Sequence, residues 1–257
     1  MFKKILVSTI AASAMALGFS TAQATPLMDF EVSDGGTPFT ADKIVGGYQE
    51  IITLNTNGTF NVALKWTADG FYANDGATPV TSNLKQTYNL YALYTASGVY
   101  SNNGFGYSFD FSPNTGSLVI YKDPTKDTGF TAPATGSGSF TTSNSSDDVK
   151  LADGVPVSGS GLLINLGNSN AGSFGATQEL SLTPDGASYF TKPVPFYGLT
   201  LQSGQFNSNF APGQTVAVNG SLDVTFDVPE PGMVGLLGLG MLAAAVSRRK
   251  GVKRTFA

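Results

Sequence analysis

Glu50-Ile51-Ile52-Thr53-Leu54-Asn55-Thr56-Asn57-Gly58-Thr59-Phe60-Asn61-Val62-Ala63-Leu64-Lys65-Trp66 is the segment from which the rest of the chain can be read. Ile52 and Leu54 recur at a spacing of two on its first arm. Phe60, Val62, Leu64 and Trp66 do the same on the second. That period places each set on one face of a strand. Asn57-Gly58 between the arms invites a two-residue turn. Parity rejects it, because such a turn pairs Asn55 with Phe60 and turns Leu54 to the face opposite Phe60. A three-residue loop, Thr56-Asn57-Gly58, pairs Leu54 with Phe60 and Ile52 with Val62, so that both apolar sets share a face. The sequence therefore predicts that hairpin, with Gly58 in the left-handed region and the four residues from Phe60 to Trp66 buried.

Similar strands follow on both sides. Tyr88–Thr95 sets Tyr88, Leu90 and Tyr94 on one face. Phe105–Phe111 alternates aromatic with small or polar residues, and a Ser112-Pro113-Asn114-Thr115-Gly116 turn leads into Leu118–Tyr121. Leu162–Leu166, Ala176–Thr183, Phe196–Phe206 and Ser221–Val228 read as further strands. No helical period of useful length appears between them. Short strands with one apolar face each, punctuated by Gly, Asn and Pro, predict an all-β fold, an antiparallel β-sandwich over residues 25–228. The Ser/Thr/Gly/Asp-rich stretch of residues 122–161 has few core candidates and reads as a long, partly mobile surface loop.

Composition narrows the chemistry. Hydrophobic residues are 41% of the chain, enough to build a core, and Cys and His are both absent. No disulfide framework, thiolate nucleophile or imidazole base is then available. Of the 14 basic residues, two open the chain and five close it. From Thr25 to Val228 there are lysines but no arginine, against most of the 18 acids. Such a body repels phosphate backbones, which excludes nucleic acid as a partner.

The ends are targeting segments. Lys3 and Lys4, the apolar run Ile5–Phe19 and the small residues Ala22 and Ala24 make a secretory signal peptide over residues 1–24, a helix that signal peptidase removes after Ala24. At the other end stand Pro229-Glu230-Pro231, an uncharged run from Gly232 to Val246, and the basic residues Arg248, Arg249, Lys250, Lys253 and Arg254. As a single transmembrane helix the run spans about 23 Å, short for a bilayer core. The basic cluster would stop transfer and stay cytoplasmic, leaving the body outside the inner membrane. The prolines keep the junction extended and accessible to an enzyme.

The Pro-Glu-Pro triplet, the apolar run and the basic end, in that order over residues 229–257, resemble the PEP-CTERM sorting signal. The resemblance implies recognition of Pro229, Glu230 and Pro231 by an exosortase of exopolysaccharide-producing Gram-negative bacteria. Several body segments are similar to the flocculation-associated PEP-CTERM proteins. They include Phe39-Thr40-Ala41-Asp42-Lys43-Ile44, Tyr91-Ala92-Leu93-Tyr94, and Leu182-Thr183-Pro184-Asp185-Gly186-Ala187 running on to Pro193-Val194-Pro195-Phe196-Tyr197. Tyr121-Lys122-Asp123-Pro124, with Asp127-Thr128, belongs with them. That similarity implies a role in cell aggregation within an exopolysaccharide matrix, at the cell surface or secreted. It supplies no catalytic or ligand-binding residues.

Three site chemistries survive composition. A glycosidase needs only two carboxylates, but the acids here sit mostly in turns or at solvent-facing strand positions such as Asp110, Asp223 and Asp227. Asp123, Asp127, Asp147, Asp148 and Asp153 lie in or near the long loop and offer hard oxygen ligands for calcium, although at no known motif spacing. Tyr72, Tyr88, Tyr91, Tyr94, Tyr100 and Tyr107 could stack on sugars, or pack as core. The expectation is a non-enzymatic matrix protein without a cofactor, with a glycan-binding adhesin as the alternative and an exopolysaccharide-acting glycosidase third.

Overall fold

The computed structural model describes residues 26–102, 104–165, 170–203 and 211–227. The hairpin has the predicted register. In β3 (Lys43–Leu54) and β4 (Thr59–Ala73), Leu54 pairs with Phe60 and Ile52 with Val62. The Asn55 amide donates to the Thr59 carbonyl at 2.8 Å, leaving Thr56-Asn57-Gly58 as the loop, and Gly58 has φ +83°. Phe60, Val62, Leu64 and Trp66 are all buried.

The sheet does not stop there. β6 (Asn89–Asn102), β7 (Gly106–Asp123), β10 (Val149–Asn165), β11 (Asn170–Leu182), β13 (Gly198–Ser203) and β14 (Thr215–Asp227) each pair antiparallel with the stave next in the chain. The order is β3-β14-β13-β11-β10-β7-β6-β4, and β4 pairs back onto β3. The expected sandwich is therefore corrected to a closed eight-stranded antiparallel barrel. Both architectures ask the same of each strand, one apolar face. They differ in whether the first and last strands meet. Here they do, from Thr215 opposite Thr53 to Thr225 opposite Lys43.

A barrel of this size has an interior just wide enough for side chains to fill. Trp66 and Ile44 from one wall meet Leu199, Leu201, Val224 and Phe226 from the other. Two voids of about 10 Å³ each remain inside, room for a single water apiece at most. Gly46 makes space for the indole, since a Cβ there would lie 2.3 Å from Trp66 Nε1, which donates to the Leu222 carbonyl. The outward positions of β4 and β14 are mostly polar, as Asn61, Lys65, Thr67, Asn219, Ser221 and Asp223 illustrate, while Val155, Val157, Leu162 and Ile164 leave apolar side chains exposed along β10. On β4 and β14 this is the reverse of the continuous apolar band of a lipid-facing barrel.

One end is plugged. β1 (Phe30–Val32) lies between β2 (Phe39–Ala41) and β12 (Phe190–Lys192), and this small sheet drops Phe30 and Phe190 onto Phe226, with ring centroids 4.7 and 5.9 Å away. A short helix, α1 (Pro184–Tyr189), precedes β12. The sequence reading missed it, because six residues are too few to display a period. Its signal is local: Thr183 caps it, accepting from the Gly186 amide at 3.0 Å, and Pro184 opens the first turn. β5 (Thr78–Val80) extends the sheet beyond β4 at the same end.

Two further expectations change. The Ser112–Gly116 turn does not separate two strands. It bulges out of the single long stave β7, between the pairs Gly98–Phe111 and Ala96–Gly116. The long loop is shorter and better packed than its composition suggests. Residues 149–165 are barrel stave, and the remainder carries the hairpin β8 (Gly129–Thr131) and β9 (Thr141–Ser143). Phe140 packs with Ile51 and Ala63 on the outer wall, with Phe130 and Leu93 beside them, as a second small core. Gly136 lies against the Asn61 and Ile51 carbonyls, and its amide donates to Thr53 Oγ1 at 2.9 Å.

Candidate functional site

The targeting residues, Ala22 and Ala24 at one end and Pro229, Glu230, Pro231 and the basic cluster Arg248, Arg249, Lys250, Lys253 and Arg254 at the other, lie outside the described residues. So do the signal helix and the transmembrane sorting helix. Among the described residues no helix is long and apolar enough to cross a membrane. The body's own contribution is the position of Asp227. It ends β14 opposite Gly198, and its carboxylate accepts from Thr200 Oγ1. The triplet therefore starts two residues beyond a stave that is paired on both sides.

The acidic loop residues divide into three groups. Asp123, Asp127 and Asp147 converge, with carboxylate oxygens within 4.8 Å of one another. Asp123 is buried and accepts from the backbone amides of Thr125, Lys126 and Thr128. Thr125 Oγ1 lies 2.7 Å from Asp127 and 2.8 Å from Asp147, and its one proton serves one of them at a time. Asp148 instead accepts from the Tyr91 hydroxyl and from Thr128, and Asp153 pairs with Lys150. The first three are an all-oxygen set of the kind calcium takes. In this geometry they also tie the excursion to the end of β7 by themselves.

The tyrosines do not form a sugar platform. Tyr88, Tyr91 and Tyr94 are buried. Tyr88 meets Tyr189 hydroxyl to hydroxyl at 2.6 Å, and Tyr91 stacks on Tyr121 under Phe130. Tyr100 donates to the Asn55 carbonyl, stapling β6 to the hairpin loop, and packs against Tyr107. Lys43 sits over the Tyr72 ring.

A hollow of about 370 Å³ opens instead on the outer wall of β3, β4 and β14. Register explains it. Asn219, Gln49 and Lys65 form one outward row, and Ser221, Gly47 and Thr67 the next. Gly47 leaves the centre without a side chain, and a Cβ there would meet its nearest atoms only at 3.9 and 4.0 Å. Asp69, which pairs with Lys85, overhangs one side. Lys65 lies 5.1 Å from the Phe130 centroid, and burial pulls its ammonium below the ordinary lysine value. Amides, a hydroxyl, an ammonium and a carboxylate around an open floor can hydrogen-bond a neutral polyol. Sequence reading missed this place because its defining feature is an absent side chain.

Two inward positions break the apolar pattern, Gln178 on β11 and Glu50 on β3. Glu50 follows the parity of Ile52 and Leu54 into the barrel and is 5% exposed. Burial raises its carboxyl from the ordinary 4.5 to about 8.

Residues 227–250 match the PEP-CTERM protein-sorting motif. No curated protein and no solved structure matches the chain. The motif marks an exported protein processed by an exosortase and delivered to the cell surface.

Proposed function

We propose that this exported barrel is a non-enzymatic matrix protein that promotes aggregation of cells within exopolysaccharide. The observation that carries the reading is the join between the sorting motif and a barrel filled with its own side chains. Among the described residues the voids inside the barrel at Trp66 and at Glu50 hold a single water each at most, which points to the surface as the place where a partner is met. Signal peptidase cuts after Ala24, exosortase reads Pro229-Glu230-Pro231, and the basic end holds the precursor in the inner membrane until then. Moving each basic residue through the bilayer centre costs about 2.5–3.5 kcal/mol, which opposes spontaneous escape.

Replacing the triplet by alanines is expected to leave the precursor in the inner membrane with its full C-terminus and to abolish cell aggregation. Fractionation, intact mass and a sedimentation assay read this out. A triplet variant that still reaches the surface without its tail would refute the sorting step. Normal aggregation by cells lacking the protein would refute the matrix role.

The hollow around Gly47 favours a second reading, a glycan-binding adhesin. Gly47→Val fills the floor and Gln49→Ala removes an amide. Together they should weaken retention of the protein on purified exopolysaccharide by about tenfold, the worth of one or two hydrogen bonds. Unchanged retention leaves the adhesin reading without its site. Release of reducing ends by the wild type would favour the glycosidase instead.

A further inference from the structure

Glu50 is a carboxyl placed where the barrel offers it nothing. It stands in one inward row with Val218, Leu64 and Tyr94, on four adjacent staves. It borders a void of about 10 Å³ whose other lining is Ile52, Phe60, Phe109, Phe111, Gly161 and Phe174. Burial alone acts on its carboxyl, with no hydrogen bond or opposite charge from another described residue to offset it. The titratable groups turned toward it are Tyr48 from its own strand and Tyr94 from β6. β4, β7, β10, β11 and β14 present none at this level. Lys122, the inward-leaning cation, is at the plugged end over the Tyr88 and Tyr189 rings.

Two more polar groups in the same interior are poorly partnered. The Tyr94 hydroxyl and both polar atoms of the Gln178 amide are buried and meet no partner at full hydrogen-bond geometry, although Gln178 lies close enough to act on Tyr94. Burial raises the Tyr94 hydroxyl above its ordinary value, Gln178 nearby offsets part of this, and Glu50 raises it further. Among the described residues the interior thus holds an acid with no donor and, in Tyr94 and Gln178, two donor groups with no well-formed acceptor beyond each other.

We propose that Glu50 makes the barrel a proton-linked latch: protonated, it lies silent among apolar side chains and the barrel is tight, and loss of the proton as the surroundings turn alkaline loosens the Glu50–Phe174 half. A buried carboxylate must find donors or water. The spare donors are Tyr94 and Gln178, and reaching them, or admitting water to the void, repacks the interior. The sign follows from proton counting. Below about pH 4.5 folded and unfolded chains are both protonated here. From there to about pH 8 the folded chain keeps a proton that the unfolded chain has lost, so stability is highest in acid and falls as pH rises. An exported protein meets the pH of its medium directly.

The test uses the protein isolated from its producing cells, with urea unfolding followed through Trp66, the chain's one tryptophan. Trp66 faces inward two residues along from Leu64, the partner of Glu50. The wild-type unfolding constant is expected to rise by up to about tenfold per pH unit between pH 5 and 8. Glu50→Gln should remove that added slope and make the protein more resistant to urea at pH 8, and Glu50→Leu should do the same. A slope that persists in a folded variant overturns the proposal. Should neither variant fold, the carboxyl is followed directly by ¹³C NMR. Glu31, Glu50, Glu179 and Glu230 are the four glutamates. Glu50 titrating in the ordinary carboxylate range overturns the proposal, and titration near pH 8 with a coincident change in Trp66 emission supports it.

Discussion

Two glycines of the first hairpin, Gly58 in its loop and Gly46 on β3, do opposite jobs. Gly58 is needed for its backbone: φ +83° is strained for other residues, while the space around it is open, the nearest atom to an added Cβ being the Tyr100 carbonyl at 3.9 Å. Gly58→Ala should therefore cost about 1 kcal/mol, the left-handed penalty alone. Gly58→Asn should cost less, because Asn tolerates that region. Chemical denaturation of the two variants checks the order, and equal losses would mean that the side chain and not the backbone is being read. Gly46 is needed for its emptiness, under the Trp66 indole. The first requirement was visible in the sequence through parity. The second was not, because nothing local to Gly46 says that the indole of Trp66 will lie over it.

At the scale of elements, the excursion between Asp123 and Val149 shows how composition misleads. It is rich in Ser, Thr, Gly and Asp, yet two phenylalanines dock it on the wall beside its polar ties. Phe140 is buried against Ile51 and Ala63, outward-facing residues that would otherwise be apolar spots on a polar wall. Their outward parity was a signal in the sequence that something covers this face, one the sequence reading did not use. Phe140→Ala should remove about 3 kcal/mol of local packing. The expected result is fast hydrogen exchange at β8 and β9 with the barrel staves still protected. Loss of protection throughout would mean that the excursion is part of one cooperative unit with the barrel.

For the whole molecule the decisive contact is the one between β14 and β3. Every other stave pairs with its neighbour in the chain, so an up-and-down order is built from local hairpins. Only this pairing joins the chain's two ends, and it leaves the staves no open edge. A chain stopped after Gly220 loses Leu222, Val224 and Phe226 from the interior and exposes edges on β3 and β13. It should fail to fold, showing flat thermal melts and rapid proteolysis. A chain stopped after Val228 keeps every paired residue and should melt as the full-length body does. Equal stability of the two would show that closure contributes nothing.

Strand positions, the inward faces and the register of the first hairpin were legible in the residues, because side-chain alternation and turn parity are local properties. The targeting ends were legible for a related reason: charge order and apolar length act without a fold. Closure of the sheet was not legible, since an apolar face looks the same in a sandwich and a barrel, and the pairing that separates them joins residues about 160 positions apart, Thr53 and Thr215 among them. The tyrosines were legible as a set but not in their roles, which depend on what packs over them. Nor did parity alone mark Glu50. It put the residue on the inward face, but only a filled barrel with no cation beside that carboxyl turned an ordinary glutamate into a group whose proton matters.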